Sequence, residues 1–271
     1  MGKCAGEIPI TYFSPDFGGN MTLDISGIET SYLKSGSGEP LLLLPGWGAT
    51  AAAYNLPIKQ LSEKYTVYAL EMPGFGVTPE PKEAWDVDDY ADFVTEFIEK
   101  TGIDNFIIAG HSYGGRVILK LCSRENKFTI KKVVLIDAAG LRHELSPEAK
   151  ARQEKYKKLK KFYNKKLVST FCPSAVEKLQ KKYGSSDYAN ASPIMRETLV
   201  KSVNEDLESL LPCVPSGAVL IWGRNDTATP VSDGEKMKGV IPDSTLTVIE
   251  GAGHFPFIDQ PFEFMKVIRD V

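Results

Sequence analysis

The chain predicts an α/β fold, a mostly parallel sheet covered by helices on both faces and interrupted by one helical insertion. Three observations carry that prediction. Short, continuous apolar runs alternate with segments of helical period. One run, Phe106-Ile107-Ile108-Ala109, leads into a sharp glycine-flanked turn, Gly110-His111-Ser112-Tyr113-Gly114-Gly115, and then into a helical pattern. From about Leu141 to Pro212 the alternation stops, and helical patterns persist without a strong strand signal.

In chain order, residues 1 to about 20 are rich in Gly and Pro and show no period. Two β-like runs between Met21 and Lys34 flank Gly27 and read as an antiparallel hairpin at a sheet edge. Leu41-Leu42-Leu43-Leu44 is a run of the kind buried on both faces of a parallel sheet, ending at Pro45-Gly46-Trp47-Gly48. A helix from about Ala51 to Lys64 should be interrupted near Pro57, because proline lacks the N–H that a helix interior uses. Thr66 to Glu71 is the next strand, followed by the loop Met72 to Gly76. Asp86 is placed as an N-cap, and Val87, Tyr90, Val94, Phe97 and Ile98 share one helical face before the stop at Gly102. Lys132 to Ile136 is a buried strand ending at Asp137.

The inserted segment keeps Tyr156, Leu159, Tyr163 and Leu167 on one helical face. Beyond it, Ala218 to Trp222 and Thr245 to Glu250 are strands. The helix from about Val231 to Lys238 is expected to stop at Gly239, and a last helix runs from Pro261 to Val271. The expected division is a core of residues 1–140 and 213–271 with a helical cap at 141–212.

Composition narrows the function. A hydrophobic content of 42% over 271 residues can bury a large core, and a net charge of −3 favours neither nucleic acid nor a membrane surface. No apolar run reaches the roughly 20 residues of a membrane span, and the N-terminus lacks both a signal-peptide core and a myristoylation pattern. Cys4, Cys122, Cys172 and Cys213 are scattered, so reduced thiols in a cytoplasmic protein are expected, with no metal site and no cofactor. The expected partner is a small-molecule ester or thioester, with no nucleic acid and no integral membrane association, bound by a monomer or homodimer.

The turn at Ser112 is where chemistry is expected. Strand, tight turn and helix force the serine backbone into strain and lift its hydroxyl out of the packed layer. A serine hydroxyl is a weak nucleophile, so it needs a base and a third group to orient that base. Two later strands end in Gly223-Arg224-Asn225-Asp226 and Gly251-Ala252-Gly253-His254, on the same sheet edge as Ser112. Asp137 also ends a strand and rivals Asp226 as the orienting acid. His111 adjoins the serine, so its side chain is expected to point elsewhere, and His143 lies at the start of the insertion.

From about Met21 onward the chain resembles the α/β-hydrolase superfamily. The resemblance is carried by the Gly110–Gly114 elbow, by Trp222-Gly223-Arg224-Asn225-Asp226 and by Gly251-Ala252-Gly253-His254-Phe255. It implies an eight-stranded sheet with a helical cap after the sixth strand. It also implies Ser112 as nucleophile, His254 as general base and then acid, and Asp226 as the residue that fixes the imidazole tautomer. The implied oxyanion donors are the backbone N–H groups of Tyr113 and Trp47. Where many relatives have His-Gly, this chain has Pro45-Gly46, and Glu71 stands where many have Asp. Trp47, Tyr113, Phe171 and Phe255 are candidate substrate-binding residues. The implied activity is a carboxylesterase-like serine hydrolase working through an acyl-enzyme. Thioesterase, lactonase, C–C bond hydrolase and perhydrolase chemistry stand as alternatives on the same fold, and a serine nucleophile disfavours the epoxide hydrolase and haloalkane dehalogenase branches.

Two other classes compete. Gly46-Trp47-Gly48-Ala49-Thr50-Ala51 followed by Glu71 fits a dinucleotide-binding fingerprint, and a non-catalytic ligand receptor could use the same fold. The lysine-rich segment Lys150 to Lys166 reads as a solvated helix face, or alternatively as a site of attraction for an anionic substrate or membrane surface.

Overall fold

The computed structural model describes residues 19–142, 147–163, 185–269 and 271. His143, Leu167, Phe171, Cys4 and Cys172 lie outside the described residues. The sheet has eight strands in the order β1-β2-β4-β3-β5-β6-β7-β8. β1 (Gly19–Ile25) and β2 (Ile28–Ser35) form the expected edge hairpin, and β2 pairs antiparallel with β4 (Tyr65–Leu70). Its two-residue turn puts both Ser26 (φ 50°) and Gly27 (φ 77°) at positive φ, matching the twist of the flanking strands. All other pairings, through β3 (Glu39–Leu44), β5 (Phe106–His111), β6 (Ile130–Ile136), β7 (Val219–Gly223) and β8 (Thr245–Ile249), are parallel.

Parallel strands buried on both faces explain the unbroken apolar runs. Leu42, Leu44, Ile108, Val133 and Leu135 point into one core layer, with α2 (Val87–Thr101) and α3 (Tyr113–Cys122) against it. Leu41, Leu43, Ile107, Val134 and Ile136 point into the other, covered by α1 (Asn55–Leu61) and the C-terminal helices. Alternate residues of one run therefore fill opposite layers, and truncating any such leucine to alanine costs about 2–5 kcal/mol.

α2 begins and ends as the sequence indicates. The Asp86 side chain accepts from Asp89 N–H, the Asp89 side chain accepts in return from Asp86 N–H, and Gly102 closes the helix in the left-handed conformation.

Three local expectations are corrected. The break after Ala51 falls between a 3₁₀ turn (Ala51–Tyr54) and α1, not at Pro57. Pro57 sits in the first turn of α1, where a missing N–H costs no helical bond. α7 (Val231–Val240) runs through Gly239, with the Ile241 N–H bonded back to Met237. The last helix, preceded by the short α8 (Pro256–Asp259), starts at Pro261 as expected but ends at Ile268 rather than Val271 (α9, Pro261–Ile268).

Between β6 and β7 the described residues contain α4 (Pro147–Tyr163), α5 (Ser186–Asn190), α6 (Pro193–Asn204) and a 3₁₀ turn (Glu208–Cys213). α6 lies against the loop after β4. Thr198 Oγ1 accepts from Trp85 N–H at 3.1 Å, and a Cβ built on Gly74 would meet the Met195 side chain at 2.4 Å. Tyr113 Oη and Ser202 Oγ, 3.2 Å apart, tie α6 to the start of α3.

Candidate active site

Ser112 follows β5 and caps α3 with φ 49° and ψ −109°, a sparsely populated region for a residue with a Cβ. Such strain costs on the order of 1–3 kcal/mol and persists only when the surroundings enforce it. Here they do. Ser112 N–H donates to Ile136 O at 3.0 Å, and Ser112 O accepts from Gly115 N–H and Ala139 N–H at 3.0 and 2.9 Å. The turn also needs its glycines. A Cβ on Gly114 would fall 2.5 Å from Leu44 O, and one on Gly110 would fall 2.5 Å from the Ile118 side chain.

The loops after β7 and β8 meet beside this turn. They touch so closely that a Cβ on Gly223 would fall 2.0 Å from Gly253 O, and Asn225 N–H donates to Ala252 O at 2.8 Å. Asp259 at the end of α8 accepts from Gly253 N–H at 2.8 Å, fixing the loop that carries His254. The structure thus brings Ser112, His254 and Asp226 into one line. Ser112 Oγ is 2.9 Å from His254 Nε2, and His254 Nδ1 is 2.7 Å from Asp226 Oδ2. A carboxylate at Nδ1 selects the tautomer with hydrogen on Nδ1, which leaves Nε2 free to accept the serine proton.

Burial opposes ionisation of Asp226. Hydrogen bonds from His254 and Thr229 outweigh it and hold the carboxyl at about 2. Thr229 Oγ1 lies 2.6 Å from Asp226 Oδ2, while Ala228 N–H and Thr229 N–H donate to Oδ1 at 2.7 and 3.1 Å. Sequence reasoning overlooked Thr229. The signal was present in the spacing Asp226-Thr227-Ala228-Thr229, an Asp whose side chain can close a turn on the residues after it.

Asp137 occupies a different station. Its Oδ1 accepts from Gly223 N–H at 2.9 Å, and its carboxyl is fully buried. Burial, reinforced by the Asp226 charge against which the Gly223 bond works, raises it to about 9. Its Oδ2 has no hydrogen-bond partner among the described residues, and the adjacent Asp226 charge favours a proton on this carboxyl. The carboxyls of Asp137 and Asp226 and the His254 ring offer atoms within 4.8 Å of one another, but with Asp137 protonated they make a poor cation site.

Tyr113 is the first residue of α3, where a backbone N–H has no intrahelical acceptor. Trp47 stands in the turn closed by Ala49 N–H to Gly46 O at 3.1 Å. Its ring meets those of Tyr113 and Phe75 at 5.1 and 5.2 Å. The Tyr113 ring is buried among Trp47, Phe75 and Tyr90, and Phe255 is exposed beside His254. Glu71 accepts from Ala51 N–H at 3.1 Å and Val77 N–H at 2.9 Å, so its carboxylate braces two loops, where the dinucleotide fingerprint would aim it at a ribose. His111 turns away from Ser112, as expected, but not away from the site: its Nε2 reaches His254 O at 2.7 Å.

Sheet order, strained serine turn and strand-end loops define an α/β-hydrolase architecture. A family profile described as alpha/beta hydrolase fold matches residues 39–261, and the chain belongs to that family. Among its relatives is a 2-hydroxy-6-oxo-6-(2'-aminophenyl)hexa-2,4-dienoic acid hydrolase of Metapseudomonas resinovorans, 26% identical over 89% of this chain and 87% of the relative. A 2-hydroxy-6-oxo-2,4-heptadienoate hydrolase of Pseudomonas putida is 24% identical over 93% of this chain and 95% of the relative. Among solved structures, an esterase from Exiguobacterium antarcticum superposes with a TM-score of 0.72 at 22% identity, covering 93% of this chain and 98% of that one. None of the described helices is long and apolar enough to cross a membrane.

Proposed function

We propose that the chain is a serine hydrolase that cleaves carboxylic esters of small or medium acyl groups through an acyl-enzyme on Ser112. The observation that carries this reading is the hydrogen-bonded series Ser112 Oγ, His254 Nε2, His254 Nδ1 and Asp226 Oδ2. As Ser112 Oγ attacks the ester carbonyl, its proton passes to His254 Nε2, and Asp226 stabilises the imidazolium. The Trp47 and Tyr113 N–H groups receive the oxyanion. The imidazolium then protonates the departing alcohol, leaving an ester between Ser112 and the acyl group. Water, deprotonated by His254, attacks that ester, and collapse returns the proton to Ser112 and frees the acid. Of the segment between β6 and β7, α6 borders this site through Ser202 against Tyr113, and Trp47 and Phe255 face the substrate.

A second reading has specific support. The two named relatives hydrolyse 2-hydroxy-6-oxo-dienoates, which contain no ester, so the same residues would there cleave a carbon–carbon bond beside a ketone. One experiment separates the readings. Wild type and Ser112→Ala are assayed on p-nitrophenyl esters from acetate to laurate and on a 2-hydroxy-6-oxo-dienoate. Ester turnover that Ser112→Ala loses by several orders of magnitude supports the proposal. Turnover of the dienoate alone selects the second reading, and equal turnover by both proteins removes Ser112 from the mechanism.

A further inference from the structure

A chain of buried hydrogen bonds joins the loop after β3 to the loop after β8. Gly46 N–H donates to the Tyr54 hydroxyl oxygen at 2.8 Å. The Tyr54 hydroxyl lies 2.9 Å from His111 Nδ1, and His111 Nε2 lies 2.7 Å from His254 O. Tyr54 and His111 are each 1% exposed, so water has little access to the bonds at Tyr54.

Each bond has one possible direction. A carbonyl oxygen only accepts, so His111 Nε2 carries the hydrogen. Burial, and then the nearby His254 ring, push His111 down to about 3, so the ring is neutral and Nδ1 bears a lone pair. The Tyr54 O–H donates to that lone pair, and its oxygen accepts from Gly46 N–H. Burial raises the Tyr54 hydroxyl far above its ordinary range, so it stays a donor at every relevant pH. The titratable groups that His111 feels are His254 and Asp226. On its other sides it meets Tyr54, Phe255 and Phe257.

The ends of the chain are the two parts of the site that the sheet does not set directly. Gly46 immediately precedes Trp47, whose N–H is a proposed oxyanion donor, and His254 is the proposed base. A Cβ on Gly46 would fall 2.7 Å from His111 Nδ1 and 3.4 Å from Ser112 Cβ, so loop, ring and nucleophile are in contact. Pro45 stands where the family pattern has histidine and has no N–H to give this loop. We infer that Tyr54 and His111 are a positioning relay that fixes the amide loop of the oxyanion site against the catalytic imidazole. The inference rests on the serine-hydrolase reading. Neither residue touches substrate. Their neutrality matters as well, because the His111 and His254 rings are 4.9 Å apart and a charged His111 would oppose formation of the His254 imidazolium.

The test uses the whole chain. Tyr54→Phe removes one hydroxyl and keeps the ring that packs on Phe257. Its kcat on p-nitrophenyl acetate should fall about tenfold or more with KM little changed, since losing an oxyanion donor outright costs about 10²–10³ and displacing one costs less. His111→Gln, which retains an acceptor and a donor on one side chain, should keep more kcat than His111→Leu, which retains neither. Equal kcat for Tyr54→Phe and wild type, or equal losses for the two His111 variants, would overturn the relay. Nitrogen-15 NMR of histidine-labelled protein gives a readout independent of turnover. His111 should hold its hydrogen on Nε2 and stay uncharged between about pH 5 and 8. An Nδ1–H tautomer, or a ring that charges in that range, would overturn the relay even if ester hydrolysis is intact. Absent ester turnover in wild type with the expected NMR signature would instead count against the ester reading alone.

Discussion

Replacing Asp137 by Asn should make the protein more stable, and increasingly so as pH rises. In the folded chain Asp137 is raised from 3.8 to about 9, chiefly by burial. Above about pH 4 the unfolded chain has lost this proton while the folded chain keeps it. Folding must then take up a proton, which costs about 1.4 kcal/mol for each pH unit. The sign is that of any group whose folded pKa is raised: its contribution is complete below the unfolded value and is lost progressively toward the folded one. From pH 5 to pH 8 this single residue therefore removes about 4 kcal/mol of stability. Asparagine has the same shape and no proton to lose. Its Oδ1 can accept from Gly223 N–H, and its Nδ2 can donate toward Asp226, the two contacts a protonated Asp137 makes. The assay is equilibrium urea unfolding of both proteins at several pH values, followed by the fluorescence of tryptophans that include the fully buried Trp222. The stability difference should grow by about 4 kcal/mol across that range, or roughly 8–16 °C in Tm. Titrating groups that do not feel Asp137 cancel in the difference. Parallel stability curves, or a variant less stable than wild type at pH 8, would refute the claim that Asp137 is neutral. Ester hydrolysis should survive, because Asp137 touches neither Ser112 nor His254 in the hydrogen-bonded series.

Two further predictions concern the same framework. Asp226→Asn presents an amide to His254 Nδ1 and should lower kcat by about 10⁴; a loss of less than tenfold would mean that Asp137 takes its place. Gly114→Ala drives a Cβ to 2.5 Å from the Leu44 carbonyl and should destabilise by about 1–3 kcal/mol, whereas Gly239→Ala, open within α7, should stabilise by about 0.5–1 kcal/mol. Thermal unfolding of the pair decides it, and equal shifts for both would show that the contacts at the serine turn are slack.

Much of this arrangement was written in the order of residues. The apolar run Leu41 to Leu44, the Asp86 cap and the Gly102 stop each act through neighbours one to four positions away, so composition and spacing suffice to locate them. The serine turn is legible for the same reason, since glycines two before and two after a serine are a local requirement of close packing. Helix ends set by weak local preference were less secure. Gly239 lies inside α7 because packing on β7 and β8 outweighs the roughly 1 kcal/mol that a helical glycine costs.

Sequence alone determined the class of fold, the strand-end positions of Ser112, Asp226 and His254, and the residue types from which a hydrolytic site could be built. Only the tertiary structure decided which aspartate is charged. Asp137 and Asp226 both end strands; the loop pattern favours Asp226 as the orienting acid, but nothing local sets the charge of either. Asp226 is held at about 2 by donors on His254 and Thr229, while Asp137, buried beneath it, is pushed to about 9. The role of His111 was equally hidden, because its partners Tyr54 and His254 lie 57 and 143 residues away along the chain. Charge state and hydrogen-bond direction depend on burial and on groups brought together from distant strands, and these exist only once the sheet has assembled.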